Sequence, residues 1–408
     1  MSTRDVCWLV GIVAAGVVLR VAAVLFLKHI PESDELAYIS MARTLINGPA
    51  MVDDAGNRAM YNAGYPLLVV APVFALFGEI VSPVLTANAI LGAVTIVLCY
   101  FVAAEAGAGR WGRRIAALSW AVYLPASVYC VYVLKENLLT PLMLGTIWCL
   151  LRLMQKPSWT IALAAGLLFG LISLTGNAGL ALAGAAALTL VFLPVNTRKR
   201  IVLSMIVMIV AFITVAPWLI RNAVVLGSPV LNTNGGFNLY LGNNPAATGW
   251  FVSIADTPRG GSWAELRRSG EVRASNVLKQ EALAWIAEHP AEFGMLAIKK
   301  VLYFWTPPFH SGKQPAGTVE SSVRLLWAIE FLVLALCALA TVFLSTLRER
   351  RCALLWTAVG CYTAVHALFY VIFRYREPIM PLVCILAALA VERYFAAASS
   401  GRVDRGSS

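Results

Sequence analysis

Long apolar runs alternate with short polar segments along most of the chain. Because a helix needs about 20 mostly apolar residues to cross a bilayer, we predict a transmembrane helix at each run of about this length. There are ten such runs, at approximately 6–28, 82–106, 115–132, 138–155, 159–175, 178–196, 201–219, 321–346, 353–373 and 377–395. The pattern therefore predicts an all-α polytopic membrane protein with about 10 transmembrane helices.

Two further apolar runs are too short or too charged to be read the same way. The run 66–77 contains Pro72, and the run 291–305 carries Lys299 and Lys300 near its middle. If either run alone crossed the membrane, every basic loop after it would lie on the opposite side from the basic loops before it. We therefore expect both runs to lie at the outer interface as amphipathic or re-entrant helices.

Basic residues in the short loops predict the orientation of the chain. With ten crossings, all of these basic clusters fall on one side: Arg110, Arg113 and Arg114; Arg152 and Lys156; Arg198, Lys199 and Arg200; Arg348, Arg350 and Arg351; and Arg393, Arg402 and Arg405. That side is expected to be cytoplasmic, with both termini inside. The outer side then holds a first loop, 29–81, and a second loop, 220–320, while 396–408 is expected to be a disordered cytoplasmic tail.

Composition agrees with a single membrane domain spanning 1–408. Hydrophobic residues make up 60% of the 408 residues, charged residues 13%, and the mean hydropathy is +0.76, which excludes an ordinary soluble globular protein. The net charge of +11 lies largely in short loops, so it indicates topology and not a nucleic-acid partner. The eight cysteines fall mostly in apolar runs without a CxxC motif, so neither disulfides nor metal are predicted from them.

Two adjacent carboxylates, Asp34 and Glu35, follow the first apolar run. Ser33 can cap a helix that begins at Asp34, and Gly48-Pro49 can end it, which predicts a helix over 34–47. Acidic residues also favour the first turn of any helix because its dipole stabilises them. A purely structural role for the pair therefore stays open beside a functional one.

The second loop and the ninth apolar run supply further polar candidates. The run 232–245 is dense in asparagine and glycine, which suits hydrogen bonds to sugar hydroxyls but also suits an irregular loop. Arg374 and Arg376 stand at the predicted outer end of a span, against the positive-inside preference. A guanidinium is well shaped for phosphate, while interfacial snorkelling is the alternative for both arginines.

In combination these motifs resemble the membrane glycosyltransferases of the GT-C fold. The nearest branch is the bacterial relatives of protein O-mannosyltransferases and the aminoarabinose transferase of lipid A. The resemblance spans nearly the whole chain, in order, and rests on Asp34-Glu35, Tyr61 with Gly64-Tyr65-Pro66, Pro217-Trp218-x-x-Arg221-Asn222, Thr233-Asn234-Gly235-Gly236 with Gly242-Asn243-Asn244-Pro245, His289-Pro290 with Lys300 and Phe304-Trp305, and Arg374-Tyr375-Arg376-x-Pro378. Two departures are Ala63, where the family often has proline, and the lack of a large C-terminal soluble domain, which would leave acceptor recognition to the two outer loops.

The resemblance implies a reaction and roles for individual residues. A sugar would pass from a polyprenyl-phosphate donor to an acceptor hydroxyl of a glycan, lipid or protein, with inversion, on the outer face of the cytoplasmic (inner) membrane. It implies that Asp34 is the general base or orienting carboxylate and Glu35 its neighbour and substitute. Residues implied to bind the donor phosphate are Arg374, Arg376, Lys135 and Arg221. Residues implied to bind substrate are Tyr38, Tyr61, Tyr65, Asn234, Asn238, Asn243, Asn244 and Tyr375.

Other interpretations of the sequence stay open. No metal site or resident cofactor is predicted; a divalent cation held by Asp34 and Glu35 is an alternative, although adjacent side chains on a helix point in different directions. A membrane transporter or lipid flippase is an alternative function, yet transporters tend to place polar groups and broken helices near the midplane. A noncatalytic scaffold predicts full function after Asp34→Asn.

Overall fold

The computed structural model describes residues 2–48, 50–309, 317–344 and 350–403, with side chains as far as Ala396. Within these ranges the chain is helical, and its only β pairing is an isolated bridge between Trp250 and Val371. The helices of the first half are α1 (Thr3–Phe26), α2 (Asp34–Ile46), α3 (Ala71–Phe77), α4 (Val81–Glu105), α5 (Arg110–Val122), α6 (Leu124–Val128), α7 (Glu136–Gln155), α8 (Trp159–Thr175) and α9 (Leu182–Phe192). Those of the second half are α10 (Thr197–Leu226), α11 (Asn234–Gly242), α12 (Trp263–Arg268), α13 (Glu271–Glu288), α14 (Pro290–Phe304), α15 (Thr318–Phe343), α16 (Arg350–Leu368) and α17 (Met380–Val403).

Several of these helices are long and apolar enough to cross a membrane. Among the described residues six meet this test, and a seventh span results if α5 and α6, bent by 53° at Tyr123, are counted together. Helix α8 and the segment 177–192 are apolar but shorter, and α16 is not among the six. The prediction of an all-α, multi-pass membrane protein is confirmed, whereas the count of ten crossings stays a prediction.

A buried arginine binds the free carbonyl groups at the break between α5 and α6. Because α5 ends at Val122, the carbonyl groups of its last turn lack helical partners. The Arg20 guanidinium, fully buried on α1, donates hydrogen bonds to the carbonyl oxygens of Trp120 (3.3 Å) and Ala121 (3.1 Å) and of Gly16 on its own helix (3.0 Å). The Arg20 guanidinium, on an apolar helix, therefore caps the end of α5.

The helix bounds correct several predictions from the sequence. Helix α10 continues through Pro217 to Leu226, seven residues past the predicted end, and stops at Gly227 in the left-handed region (φ 70°). For the second loop the sequence predicts a helix from Ser275 to His289, closed by Pro290, and α13 begins earlier, at Glu271. The last helix runs to Val403, so 396–403 is helical where a disordered tail was expected, since alanines favour helix continuation; 404–408 lie outside the described residues.

The two predicted outer loops pack against each other. Glu271, at the start of α13, accepts hydrogen bonds from the backbone N–H groups of Arg58 (2.9 Å) and Ala59 (3.1 Å) and from the Thr233 hydroxyl (2.8 Å). The Thr233 N–H also donates to the Ala59 carbonyl at 2.7 Å. One carboxylate therefore fixes the first loop, 29–81, to the second, 220–320, and shapes the space between them.

Candidate active site

Asp34 lies at the first turn of α2, where the sequence predicted it. The helix spans Asp34–Ile46, close to the predicted 34–47, but the Ser33 side chain does not cap it. Ser33 instead has φ 51°, an uncommon conformation for a residue other than glycine. Its carbonyl oxygen accepts the Leu36 N–H at 3.1 Å. Such strain is held only where the surrounding structure imposes it, and it often lies at functional sites.

The Asp34 carboxylate has two side-chain partners from distant parts of the chain. Its Oδ2 forms an ion pair with the Arg374 guanidinium, and its Oδ1 accepts a hydrogen bond from the Tyr61 hydroxyl at 3.2 Å. Burial and the Asp34 charge raise the pKa of Tyr61 above its usual range. The Tyr61 phenol therefore stays protonated and donates to Asp34 at any ordinary pH.

Arg374 also faces a second carboxylate, Glu136. The Arg374 Nε lies 3.9 Å from Glu136 Oε1, and the Glu136 side chain, in the first turn of α7, is almost completely buried. Its Oε2 has no hydrogen-bond partner among the described residues. A buried carboxylate oxygen without a partner is costly, so it is suited to a ligand hydroxyl or to water.

Glu35 is used differently from its neighbour. Its carboxylate accepts the Val133 N–H at 2.7 Å and the Glu32 N–H at 3.2 Å, and it lies 2.5 Å from His29 Nε2. The residue is 2% exposed. These contacts fix the turn before α2 to the segment before α7, so in this structure Glu35 supports the backbone around Asp34.

An amide-lined cavity of about 360 Å³ lies beside the Arg374–Glu136 contact. Predicted site residues on its wall are Lys135, Asn234, Asn238 and Tyr375. Residues on its wall that the sequence analysis did not select as site residues include Glu136, Asn62, Asn177, Asn232, His366 and Tyr370. The amide groups can donate and accept hydrogen bonds at once, which matches the hydroxyl groups of a sugar.

A second hollow, the arginine-lined groove, lies between the two loops. It consists of adjoining parts of about 270 and 720 Å³ whose walls share Ala55, Asn57, Trp263, Arg267 and Glu271. The smaller part ends at Ser33 and Tyr61, next to Asp34.

The cavity and the groove are separated by two short backbone segments, 61–62 and 232–234. Asn62, Asn232 and Asn234 line the cavity, whereas Tyr61 and Thr233 line the groove. A hydrogen bond from the Asn232 amide to Asn62 Oδ1, at 2.9 Å, joins the segments. Asp34 is thereby connected to both hollows, through Tyr61 on the groove side and through Arg374 on the cavity side.

Some predicted site residues hold the protein together instead of lining either hollow. Arg376 is 1% exposed, donates to the carbonyl oxygens of Phe304 (3.1 Å) and Thr306 (2.6 Å), and lies 4.0 Å from the centre of the Phe331 ring. Arg221 donates to the carbonyl oxygens of Arg58 (2.8 Å) and Met51 (3.2 Å). Both guanidinium groups thus bind backbone where the sequence predicted phosphate.

The remaining predicted residues are packed close to the site. Tyr38 is 1% exposed and packs edge-on against Tyr61 and Tyr65. The Tyr65 hydroxyl donates to Asn88 Oδ1 at 2.8 Å. Asn243 and Asn244 are buried, and their amide groups donate to the carbonyl oxygens of Leu368 (2.7 Å) and Tyr240 (2.8 Å). The asparagine-rich run therefore divides into residues that face the cavity and residues that stabilise the loop.

Glu136 is the main site residue that the sequence analysis did not select. It stands next to Lys135 in a charged turn, and an acid in the first turn of a helix has a structural explanation. Only the packing of α7 against the segment that carries Arg374 brings it to the cavity. Among the described residues, no group of three or more His, Cys, Asp or Glu side chains is placed to hold a metal ion.

Comparison with known proteins shows the fold. Residues 66–220, less than half of the chain, match the family described as dolichyl-phosphate-mannose-protein mannosyltransferase. The archaeal oligosaccharyltransferase AglB from Archaeoglobus fulgidus, solved with an inhibitory peptide and a dolichol-phosphate, superposes with a TM-score of 0.57 over 100% of this chain at 14% identity. The chain spans about half of AglB, namely 52% of its length. The chain therefore has the GT-C fold.

Weaker similarity extends to two other solved structures. ArnT from Cupriavidus metallidurans, bound to undecaprenyl phosphate, has a TM-score of 0.47 and 17% identity, covering 91% of this chain and 77% of ArnT. The Pmt1–Pmt2 protein O-mannosyltransferase of S. cerevisiae, bound to its sugar donor, has a TM-score of 0.45 and 16% identity, covering 59% of this chain and 36% of that one. No curated protein matches the sequence.

Proposed function

We propose that this protein is a membrane glycosyltransferase that moves a sugar from a polyprenyl-phosphate donor to an acceptor hydroxyl. The observation that carries the proposal is the position of Asp34, whose carboxylate is connected both to the amide-lined cavity and to the arginine-lined groove. A carboxylate between two binding sites, one for each substrate, can take the proton of the acceptor hydroxyl during sugar transfer. The GT-C fold agrees with this assignment.

The amide-lined cavity suits the donor sugar. Its asparagine side chains can bind ring hydroxyl groups, and the unpartnered Glu136 Oε2 can accept a hydrogen bond from one of them. Lys135 lines the same cavity, and Arg374 lies beside Glu136. These two cations can neutralise the phosphate, which leaves as a stable anion and needs no general acid.

Asp34 then acts on the acceptor. The acceptor hydroxyl approaches from the groove and donates its hydrogen bond to Asp34 in place of one of the two present partners. As the acceptor oxygen bonds to the anomeric carbon, the carbon–oxygen bond to the phosphate breaks, and the proton passes to Asp34. Attack from the groove while the phosphate leaves on the cavity side is a single displacement, which inverts the anomeric centre.

The site of action is part of the proposal. A donor carried on a lipid serves a compartment without nucleotide sugars, so we place the reaction on the outer face of the cytoplasmic membrane, where the basic loops put both predicted outer loops. The transferred group is a hexosyl or pentosyl residue, and the acceptor belongs to the cell envelope. Its glycans, glycolipids and glycoproteins are the candidate products.

The experiment that tests this function replaces one carboxylate. Asp34→Asn keeps the size of the side chain and one accepting oxygen but removes the base, so transfer from a radiolabelled polyprenyl-phosphate sugar to envelope acceptors should fall about 10²- to 10⁴-fold. The measurement uses membranes that contain equal amounts of folded protein.

Glu32→Gln is the matched control. Glu32 lies two residues before Asp34 and its side chain is exposed, so this variant should keep wild-type transfer. Full activity of Asp34→Asn, at an unchanged unfolding temperature, would contradict the proposed role and favour a scaffold or transporter.

A further inference from the structure

The arginine-lined groove has an uneven charge distribution along its length. Arg58, Arg267 and Arg268 are exposed on the wall of its larger part. Among the described residues none of the three pairs with a carboxylate: Arg267 donates to the Ala55 carbonyl at 3.0 Å, and Arg268 donates only within its own helix. The outer half of the groove is therefore cationic and open to a ligand.

The acid on the same wall does not cancel this charge. The two oxygens of Glu271 already accept hydrogen bonds from two backbone N–H groups and the Thr233 hydroxyl. The wall of the larger part carries three arginines and this one carboxylate, so its net charge is positive. An anion at the arginines consequently meets a mainly attractive surface.

The inner end of the groove has the opposite character. Asp54 and Ser33 line this end, and Ser33 directly precedes Asp34 in the chain. Asp53 also lines it, and its carboxylate accepts hydrogen bonds from the Asn57 backbone and side chain. This end repels anions and can accept hydrogen bonds from a neutral hydroxyl group. A ligand in the groove therefore places an anionic group at the outer end and a neutral hydroxyl group at the inner end.

Aromatic surface lies between these two ends. Trp263 lines both parts of the groove and packs against Phe237, with ring centroids 5.3 Å apart. A flat, partly exposed indole presents apolar area next to polar groups, which suits the C–H face of a sugar ring. A charged saccharide matches all three features. Its anionic group fits the arginines, its sugar ring fits the indole, and a hydroxyl group fits the acidic inner end.

We infer that the arginine-lined groove binds an anionic saccharide, which is the acceptor of the reaction proposed above. Its phosphate or carboxylate group lies at Arg58, Arg267 and Arg268, its sugar ring packs on Trp263, and its reacting hydroxyl lies at the inner end beside Tyr61 and Asp34. The acceptor would then be selected by a charge remote from the bond that forms. The inference rests on the proposed function, since the groove needs a nearby reaction for its ligand to be an acceptor.

A binding experiment tests the inference without any need for turnover. The full chain, in nanodiscs of zwitterionic lipid, is titrated calorimetrically with three probes: maltotriose bearing one phosphate, trigalacturonate and neutral maltotriose. The two anionic probes separate phosphate from carboxylate recognition. We expect at least one of them to bind about 10-fold more tightly than neutral maltotriose at low salt, and this preference to shrink as salt is added.

Variants locate the binding to the groove. The double variant Arg58→Gln/Arg268→Gln should weaken binding of the preferred anionic probe about 10-fold, because two charge-assisted contacts are lost. Arg273→Gln is the matched control: Arg273 is exposed on α13, near the groove but not on its wall, and its loss should leave binding unchanged. Equal binding of all three probes, or equal weakening by the control, would overturn the inference.

The outcomes also separate this inference from the proposed function. Asp34→Asn should bind the anionic probe within about 3-fold of wild type while transfer is lost. If sugar transfer depends on Asp34 but the groove variants bind as wild type does, the groove assignment fails alone. If the probe binds through the arginines but no transfer occurs, the proposed function fails and the groove remains a saccharide site.

Discussion

At the scale of single residues, Asp34 and Glu35 show how packing gives two neighbouring carboxylates different roles. Both were candidates on sequence alone. Helix geometry directs adjacent side chains about 100° apart, and the surrounding segments determine what each one meets. Asp34 meets Arg374 and Tyr61 beside two hollows, whereas Glu35 meets backbone N–H groups and His29.

Lys300 on α14 is a second residue whose environment sets its chemistry. It is fully buried, and its ammonium donates to Asn243 Oδ1 at 3.0 Å. Burial lowers the pKa of Lys300 to about 8, from 10.5. Because the pKa is lower in the folded state, the unfolded chain binds more protons between these two pKa values, and stability rises as pH rises through that window.

The resulting prediction concerns the pH dependence of stability. Below pH 8 the folded protein carries a buried ammonium, so its stability relative to Lys300→Met should increase from pH 7 to pH 10, by up to about 3 kcal/mol in free energy of unfolding. Unfolding temperatures of both proteins at the two pH values measure this. The exposed neighbour gives the control variant, Lys299→Met, which should show no such trend; a difference that is the same at pH 7 and pH 10 would contradict the assignment.

At the scale of elements, the close approach of α11 to the segment after α16 shapes one wall of the amide-lined cavity. Gly242 ends α11, and a Cβ there would lie 2.6 Å from the carbonyl carbon of Phe369 and 2.9 Å from the Tyr370 nitrogen. These are backbone atoms and cannot rotate away. The Asn243 amide then bonds the Leu368 carbonyl at 2.7 Å, which joins the same two segments.

We therefore expect Gly242→Ala to separate α11 from this segment. The cost should be about 1–3 kcal/mol of stability, as for other overpacked sites, with weaker donor binding because Asn238 and Tyr370 line the same cavity. Gly235→Ala on the same helix is the control for stability, since its Cβ would have no neighbour nearer than Asn232 Oδ1 at 4.0 Å. Thermal unfolding of the two variants should differ clearly; equal unfolding temperatures would show that the contact is not tight.

At the scale of the whole molecule, the orientation of the chain in the membrane determines which compartment the candidate site faces. The basic loops predict that α12 lies outside and that the turn before α10 lies in the cytoplasm. Exposed positions on each side make this testable: Ala264 on α12 and Lys199 at the start of α10.

Thiol labelling in intact cells should distinguish the two sides. In a Cys7→Ser background, which removes the exposed native thiol, Ala264→Cys should react with a membrane-impermeant maleimide. Lys199→Cys should react only after the membrane is permeabilised. The reverse pattern would invert the topology and place the candidate site in the cytoplasm.

Sequence by itself determined much of this protein. Apolar runs of bilayer length predicted the helical, multi-pass class, and the helices Asp34–Ile46 and Pro290–Phe304 lie close to the predicted 34–47 and 291–305. The resemblance to GT-C glycosyltransferases, based on motifs spread along the chain, agrees with the fold. Apolar runs and helix positions depend on residues close in sequence, and the motifs can be recognised one by one along the chain. One sequence is therefore enough to show these features.

Only the tertiary structure decided which polar residues share a site. Arg374 and Arg376 are two residues apart, yet one reaches Asp34 and the other is enclosed by Phe331 and backbone carbonyls. Glu136 became a site residue, and Asn243 a structural one, through contacts across more than 50 positions of sequence. The reason is physical: the roles of buried charges and amides depend on which partners satisfy them, and those partners are set by packing that no local pattern encodes.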